Sequence, residues 1–328
     1  MDTYKVGILY TTSQETPPYD ILPEHEEAIR NRIPGLQVIR AHEESELVQK
    51  GTDCDVLLTW GRYRPAMFAS AATRLKWIHL LSAGFDGVIT IPEIRDKRIR
   101  LTSTRGIHGL PIAEHTLGMM LMLTRGLHLL RDWQHQEEWR RYLEADEIAG
   151  KTVAILGIGE VGRVVAQKCK AMGMRVLGLD ARPVDENFLD DFYLAKDLLK
   201  VLSQSDYVVI SVPLTPETRD WIGEKELHAM KSSAFLFNVA RSPIVNGPAL
   251  VKALKEGWIA GAGLDTPNPE PLPKGHELWS LPNVIISPHM AANSPYYMHR
   301  AVKVFCENLD RFNQGKPLLF EFDWDKGY

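Results

Sequence analysis

Arg241, Glu270 and His289 bring a cation, a carboxylate and an imidazole into the last third of the chain, each at the end of a strand-like segment. Reduction of a ketone requires such a set. Negative charge builds on the carbonyl oxygen, so a nearby cation and a proton donor lower the barrier. A carboxylate beside an imidazole favours its charged, proton-donating form, and the neutral ring acts as base in the reverse direction. A guanidinium meets a carboxylate with two parallel hydrogen bonds, where an ammonium offers only a point charge. Singly, the three residues read as a surface ion pair, a solvated loop residue and a capping or core histidine. Together they argue for catalysis.

Upstream lies a place for a hydride donor. The strand-like run Lys151–Leu156 leads directly into Gly157-x-Gly159-x-x-Gly162, and a helical pattern follows. Gly157 permits the tight turn, Gly159 lets backbone approach a pyrophosphate, and Gly162 lets the helix lie close to the strand. Amides near Glu160 and Val161, at the positive end of that helix, are the expected phosphate donors. Asp180 ends the next strand, 18 residues past Gly162. Its carboxylate suits a ribose diol and would repel a 2′-phosphate, which favours NAD over NADP. Arg182 keeps NADP open.

These residues need scaffolding, and the chain supplies two αβ series. In the first, Tyr4–Tyr10, Leu36–Arg40, Asp55–Trp60, Trp77–Leu81 and Ile99–Ser103 read as strands, with amphipathic stretches Pro23–Arg32 and Glu43–Lys50 between them. A helix is expected from Pro111 to about Arg131, apolar nearly all round and therefore buried. The second series begins at Gly150, with strands Thr152–Leu156, Arg175–Asp180, Tyr207–Val212, Phe235–Val239, Ala260–Leu264 and Val284–Ser287. Most are continuous apolar runs, as strands covered on both faces must be. Helices Gly162–Met172 and Pro248–Glu256 fall among them, and a last helix, about Tyr296–Phe312, returns the chain to the first domain with an aromatic tail. The fold class is α/β: two doubly wound parallel-sheet domains, Rossmann-like and flavodoxin-like, with a cleft between them. The substrate domain is expected over residues 1–102 plus 291–328, and the dinucleotide domain over 103–290.

A net charge of −4 over 328 residues points to no nucleic-acid or anionic-membrane partner. An anionic substrate would therefore depend on a local basic residue. Cys54, Cys169 and Cys306 are odd in number and form no CxxC, so a disulfide framework or zinc site is not expected, and a cytoplasmic setting fits. The first ten residues read as a strand rather than a signal peptide, and no apolar run is long enough to span a membrane.

The segments Asn238–Pro243, Gly263–Leu272 and Ser287–Ala292, taken with the Gly-rich turn, resemble the D-isomer-specific 2-hydroxyacid dehydrogenase family. The likeness runs over nearly the whole chain and includes Ser82–Gly87, Ala113-Glu114-His115 and Val212–Thr218. It implies that His289 is the general acid, that Glu270 holds its ring, and that Arg241 grips the 2-keto acid. Ala83 and Gly84 would offer amides to the substrate carboxylate. Asp265 would contact the nicotinamide carboxamide, with Val212, Pro213, Thr218, Val239 and Ala240 around the cofactor. Trp139 and Tyr142 would meet a subunit interface or a neighbouring active site, and a homodimer is implied. Two positions depart from the family pattern: Ser242 stands where Gly is usual, and Thr266 where Val is common. Neither removes a catalytic group. Glu270 argues against the formate dehydrogenase branch, which has Gln there.

The reaction expected is transfer of a hydride between NAD(P)H and a small 2-keto acid, such as glyoxylate or hydroxypyruvate, giving a D-2-hydroxy acid. The alternative is an NAD(H)-sensing regulator on the same fold, since the resemblance reaches corepressors and fold alone does not decide function.

Overall fold

Strand and helix alternate through the first hundred residues: β1 (Lys5–Leu9), α1 (Pro23–Arg30), β2 (Gln37–Ala41), α2 (Glu44–Gly51), β3 (Val56–Thr59), α3 (Ala66–Ala71), β4 (Trp77–Leu80), α4 (Pro92–Asp96) and β5 (Arg100–Ser103). The computed structural model describes residues 4–9, 20–85, 87–325 and 327, with the side chain of Arg62 left aside. Tyr10 of the first expected strand, Asp86 of the Ser82–Gly87 motif, and Lys326 and Tyr328 of the tail lie outside the described residues. The five strands pair in parallel in the order β2-β1-β3-β4-β5. Strands β3 and β4 are buried at every position and are mostly apolar, with Thr59 and His79 as their polar members.

The chain continues through α5 (Gly109–Thr124), α6 (Leu127–His135), β6 (Thr152–Leu156), α7 (Glu160–Ala171), β7 (Arg175–Asp180), β8 (Asp191–Leu194), α8 (Leu198–Gln204), β9 (Tyr207–Ile210), α9 (Glu224–Ala229), β10 (Phe235–Asn238), α10 (Gly247–Glu256), β11 (Gly261–Leu264) and β12 (Val284–Ile286). These seven strands are all parallel, in the order β12-β11-β10-β9-β6-β7-β8. The order reverses between β6 and β9, the switch point at which such sheets bind ligands beyond their strand ends. One face is covered by α5 and α7 through Met119, Met120, Val165 and Ala166. The other is covered by α8, α9 and α10 through Leu198, Leu227, Leu250 and Leu254.

Helix α11 (Tyr297–Asn313) belongs to the first unit. The chain divides into Met1–Ile107 with Ser294–Tyr328, and His108–Asn293. In the first unit Phe305 of α11 stacks on Trp77 with ring centroids 5.3 Å apart. Buried Asn308 binds both the N–H and the C=O of Leu319, at 2.7 and 3.0 Å. The tail is tied in by Phe322 packed on Phe85, by the Trp324 indole donating to Ile99 O, and by the forked Arg100–Glu321 pair.

Two expectations differ from the structure. The helix expected from Pro111 to Arg131 is two helices, because Gly126 takes a left-handed conformation (φ 62°), and a Cβ there would lie 2.4 Å from the Leu143 side chain. The second sheet has a seventh strand, β8, whose Asp-Phe-Tyr-Leu run lies half-buried on the sheet edge and lacks the apolar continuity of the inner strands. Among the described residues no helix is long and apolar enough to cross a membrane. All three cysteines are free and buried, and burial pushes their thiols up to about 11 to 12, away from the reactive thiolate.

Candidate active site

Parallel pairing places every strand's carboxyl end on one edge of a sheet, and the chemistry-bearing residues of the second unit follow those ends. Gly157 follows β6, Asp180 ends β7, Val212 and Pro213 follow β9, Arg241 follows β10, Asp265 and Glu270 follow β11, and His289 follows β12. Because β10, β11 and β12 are neighbours, the loops carrying Arg241, Glu270 and His289 are adjacent.

His289 Nδ1 lies 2.6 Å from Glu270 Oε1. A carboxylate only accepts at neutral pH, so Nδ1 carries the proton and Nε2 remains for a substrate. The imidazole is about half exposed and Glu270 about a third, so solvent reaches the pair. His289 itself sits at φ 52°, a left-handed conformation that non-glycine residues take at a cost and that neighbours must hold. Its N–H donates to Asp265 O at 2.8 Å. The Asp265 carboxylate, almost fully buried, accepts from the N–H groups of Met290 (2.8 Å) and Ala291 (3.1 Å) and from Ser287 Oγ (2.6 Å). Asp265 therefore grips the His289 loop, with Oδ2 taking, among the described residues, only the Ala291 N–H, at 3.1 Å.

The Arg241 loop has its own clamp. Buried Asn238 donates from Nδ2 to Arg241 O (3.0 Å) and Thr266 O (3.4 Å), and its Oδ1 accepts from Ala240 N (3.1 Å). Arg241 Nη1 donates to Ala240 O at 2.9 Å. Ser242 and Pro243 open a 3-10 turn, and Asp220 N donates to Pro243 O at 2.8 Å, bracing the loop where the family usually has Gly. The Thr266 hydroxyl, where Val is common, is buried and without a partner among the described residues. His108 lies close enough to feel both Glu160 and Arg241. Burial lowers its tendency to protonate, Glu160 raises it, and Arg241 lowers it again, with a net lowering that keeps the ring neutral.

The Gly-rich turn has the geometry a dinucleotide needs. Gly157 sits at φ 100°, and a Cβ there would lie 2.9 Å from backbone atoms of Ser211 and Val212. At Gly162 a Cβ would meet Gly157 O at 1.9 Å, so only glycine lets α7 lie this close to the turn. At Gly159 a Cβ would meet nothing within 4 Å, an open face where a phosphate can approach the backbone. The first bond of α7 runs from Arg163 N to Gly159 O, so the N–H groups of Glu160, Val161 and Gly162 precede the helix's own ladder. The Glu160 side chain is turned to the start of α5, accepting from His108 N and Gly109 N at 3.2 and 3.3 Å. Asp180 Oδ2 accepts from Ile158 N at 2.8 Å and Oδ1 from Arg182 N at 3.3 Å, which fixes the carboxylate beside the turn. These residues fit a dinucleotide.

Thr218 spends its hydroxyl within its own loop, donating to Pro213 O and accepting from Thr215 N, both at 2.7 Å. Val239 and Ala240 are buried beside the Arg241 loop. Ala83 and Gly84 lie in the turn after β4 of the first unit, where Ser82 Oγ donates to Gly84 O at 3.3 Å. Sequence reasoning gave no role to Asn238, Ser287 or His115. The signal for Asn238 and Ser287 was their place at strand ends directly before catalytic loops. Among the described residues no group of three or more potential metal ligands is assembled.

A sequence profile of the D-isomer specific 2-hydroxyacid dehydrogenase family, for its NAD binding domain, matches residues 117–291. A glyoxylate reductase of Thermofilum pendens is 38% identical over 271 residues, covering 80% of each chain. The crystal structure of a D-isomer specific 2-hydroxyacid dehydrogenase family protein from Aeromonas salmonicida superposes with a TM-score of 0.87 at 30% identity, covering 99% of this chain and 100% of that one. That of an NADPH-dependent glyoxylate/hydroxypyruvate reductase from Sinorhizobium meliloti, in complex with NADP and sulfate, gives 0.82 at 26% identity, covering 99% and 100%. The chain belongs to the D-isomer specific 2-hydroxyacid dehydrogenase family. It is an NAD(P)-dependent oxidoreductase acting on the CH–OH group of hydroxy acids.

Proposed function

We propose that this protein reduces a small 2-keto acid, with glyoxylate and hydroxypyruvate as the first candidates, to the D-2-hydroxy acid. The observation that carries this is the His289–Glu270 hydrogen bond of 2.6 Å beside the Arg241 loop. Bound NAD(P)H supplies the hydride. His289 donates a proton from Nε2 to the carbonyl oxygen, and Glu270 holds the ring through Nδ1. Arg241 pairs with the substrate carboxylate and polarises the carbonyl. Ala83 and Gly84 offer N–H groups to the same carboxylate. In the reverse direction neutral His289 takes the hydroxyl proton.

Residues 103–290 form the dinucleotide domain in this reading, and residues 1–102 with 291–328 the substrate domain. The amides of Gly159, Glu160, Val161 and Gly162 face the pyrophosphate, with Gly157 shaping the turn. Val212, Pro213, Thr218, Val239 and Ala240 would surround the bound cofactor, and Asp265 would accept from the nicotinamide carboxamide. Asp180 takes the ribose diol, so NADH is the preferred reductant even though the Sinorhizobium meliloti reductase carries NADP. The protein is a cytoplasmic homodimer in this reading. Exposed Trp139 and Tyr142, with Leu127 and Leu130 of α6, support a surface covered by a second copy.

The test is loss of NADH absorbance with glyoxylate, hydroxypyruvate, pyruvate, 2-ketobutyrate, phenylpyruvate and ketopantoate, with NADPH run in parallel. Rapid oxidation by one or both of the first two acids, faster with NADH, is expected. Tight NADH binding without oxidation by any acid would move the reading to a redox-sensing protein.

A further inference from the structure

We propose that His115 and Ser287 are positioning residues for His289, linking the buried helix α5 to the loop that carries the acid through Asp265. The directions of the hydrogen bonds follow from what each group can do. The Asp265 carboxylate only accepts, so Ser287 donates its one hydroxyl proton to it, at 2.6 Å. The Ser287 oxygen then accepts from its other neighbour, His115 Nε2 at 2.8 Å, so that nitrogen carries a proton. His115 Nε2 is also 3.9 Å from Asp265 Oδ1. The chain therefore reads His115 Nε2–H to Ser287 Oγ–H to Asp265.

What Asp265 does next makes the chain relevant to catalysis. Its main-chain oxygen holds the N–H of His289, and its carboxylate holds those of Met290 and Ala291. The acid is thus gripped on both sides of its left-handed backbone by one residue. A carboxylate that is 2% exposed needs every donor it has. Among the described residues Ser287 supplies the one hydroxyl donor to it, and a hydroxyl turns less freely when its oxygen also accepts a bond. His115 occupies a lone pair of that oxygen, so the Ser287 hydroxyl is held from both sides while its proton points to Asp265. His115 comes from a helix packed on the sheet through Ala113, Met119 and Met120, so the anchor is rigid. It lies 172 residues from Ser287 in sequence.

This inference rests on the reading of His289 as the acid. Its test uses the full-length protein with NADH and whichever 2-keto acid it reduces fastest. His115→Phe and Ser287→Ala are each expected to lower kcat about tenfold, roughly the worth of one hydrogen bond to a charged group, with NADH affinity changed by less than about threefold. The double variant falls no further than the poorer single, because both cuts sever one chain. His115→Gln, whose amide can present an N–H where Nε2 stood, recovers most of the loss. Wild-type kcat in Ser287→Ala, or a double variant whose loss equals the product of the two singles, overturns the proposal. Ser287→Ala removes a single oxygen and is the arm that decides if His115→Phe does not fold. His289→Ala run alongside separates the two readings. Retained turnover there refutes the acid assignment itself, whereas lost turnover with multiplicative singles refutes only the positioning chain.

Discussion

His79 and His289 both belong to parallel sheets, one on a strand of the first unit and the other just past a strand of the second, and both are paired through their ring nitrogens. His79 is fully buried, with Nδ1 2.7 Å from Thr102 Oγ1 and Nε2 3.2 Å from Thr104 Oγ1. The Thr104 hydroxyl donates to Leu80 O and so accepts from Nε2; in the neutral ring Nδ1 then accepts from the Thr102 hydroxyl, which also accepts from the Trp77 indole. The network is complete with one ring proton, and the buried site offers no carboxylate to balance a second. Burial accordingly pushes the value for His79 down to about 3. His289 faces a carboxylate instead of hydroxyls and is half exposed, so its second ring nitrogen is open to a substrate. A histidine becomes an acid or a core residue through its partner and its access to solvent, and neither is a property of the residue type.

The largest effect that could break this contrast concerns stability. In the unfolded chain His79 takes up a proton near 6.5, while in the fold it resists until about 3. Between these values the unfolded state binds more protons, so the stability held above pH 6.5 is lost as pH falls. The expected slope is about 1.4 kcal/mol per unit, or about 4–5 kcal/mol over the window. Urea unfolding midpoints measured across that range should show this component disappear in His79→Gln. An unchanged slope in the variant would mean that His79 is not the group titrating.

Glu270→Gln comes next. It keeps a hydrogen-bond acceptor for Nδ1 but removes the charge, and kcat is expected to fall about ten- to a hundredfold, equivalent to about 1.5–3 kcal/mol. Steady-state kinetics with unchanged melting temperature would locate the loss in the pair; equal kcat would show that the carboxylate's charge is idle.

Asp180→Ala should lower the NADH over NADPH preference about tenfold, the worth of about one charge-assisted hydrogen bond. Parallel titrations with the two reductants check it, and an unaltered ratio would remove Asp180 from the adenosine ribose. The smallest effect is at Thr266. Removing its unpartnered buried hydroxyl as Thr266→Val is expected to leave stability unchanged or raise it by up to about 1 kcal/mol. A lower urea midpoint would show that the hydroxyl is engaged.

Much of this was legible in the sequence, for physical reasons. Strands β6, β7, β9 and β10 are covered by helices on both faces, so their apolar runs announce them. Half-buried β8, on the sheet edge, carries no such run. The Gly-rich turn could be read because each glycine answers a steric demand that the structure displays at Gly157 and Gly162. The break at Gly126 was hidden by apolar residues such as Leu127 and Leu130 continuing beyond it, although a glycine after a helical run is a stop signal. The clamp of Asn238 and the His115–Ser287–Asp265 chain were not legible. They depend on which strands lie side by side, and no local periodicity encodes a bond between residues 172 positions apart.

The central claim is that His289, and not a buried histidine, donates the proton. It is tested most directly by His289→Ala with glyoxylate or hydroxypyruvate, measuring turnover at saturating NADH and NADH affinity on the same preparation. The account predicts a loss in kcat of about 10²–10⁴-fold with NADH affinity nearly intact. Turnover close to that of the wild type would contradict it.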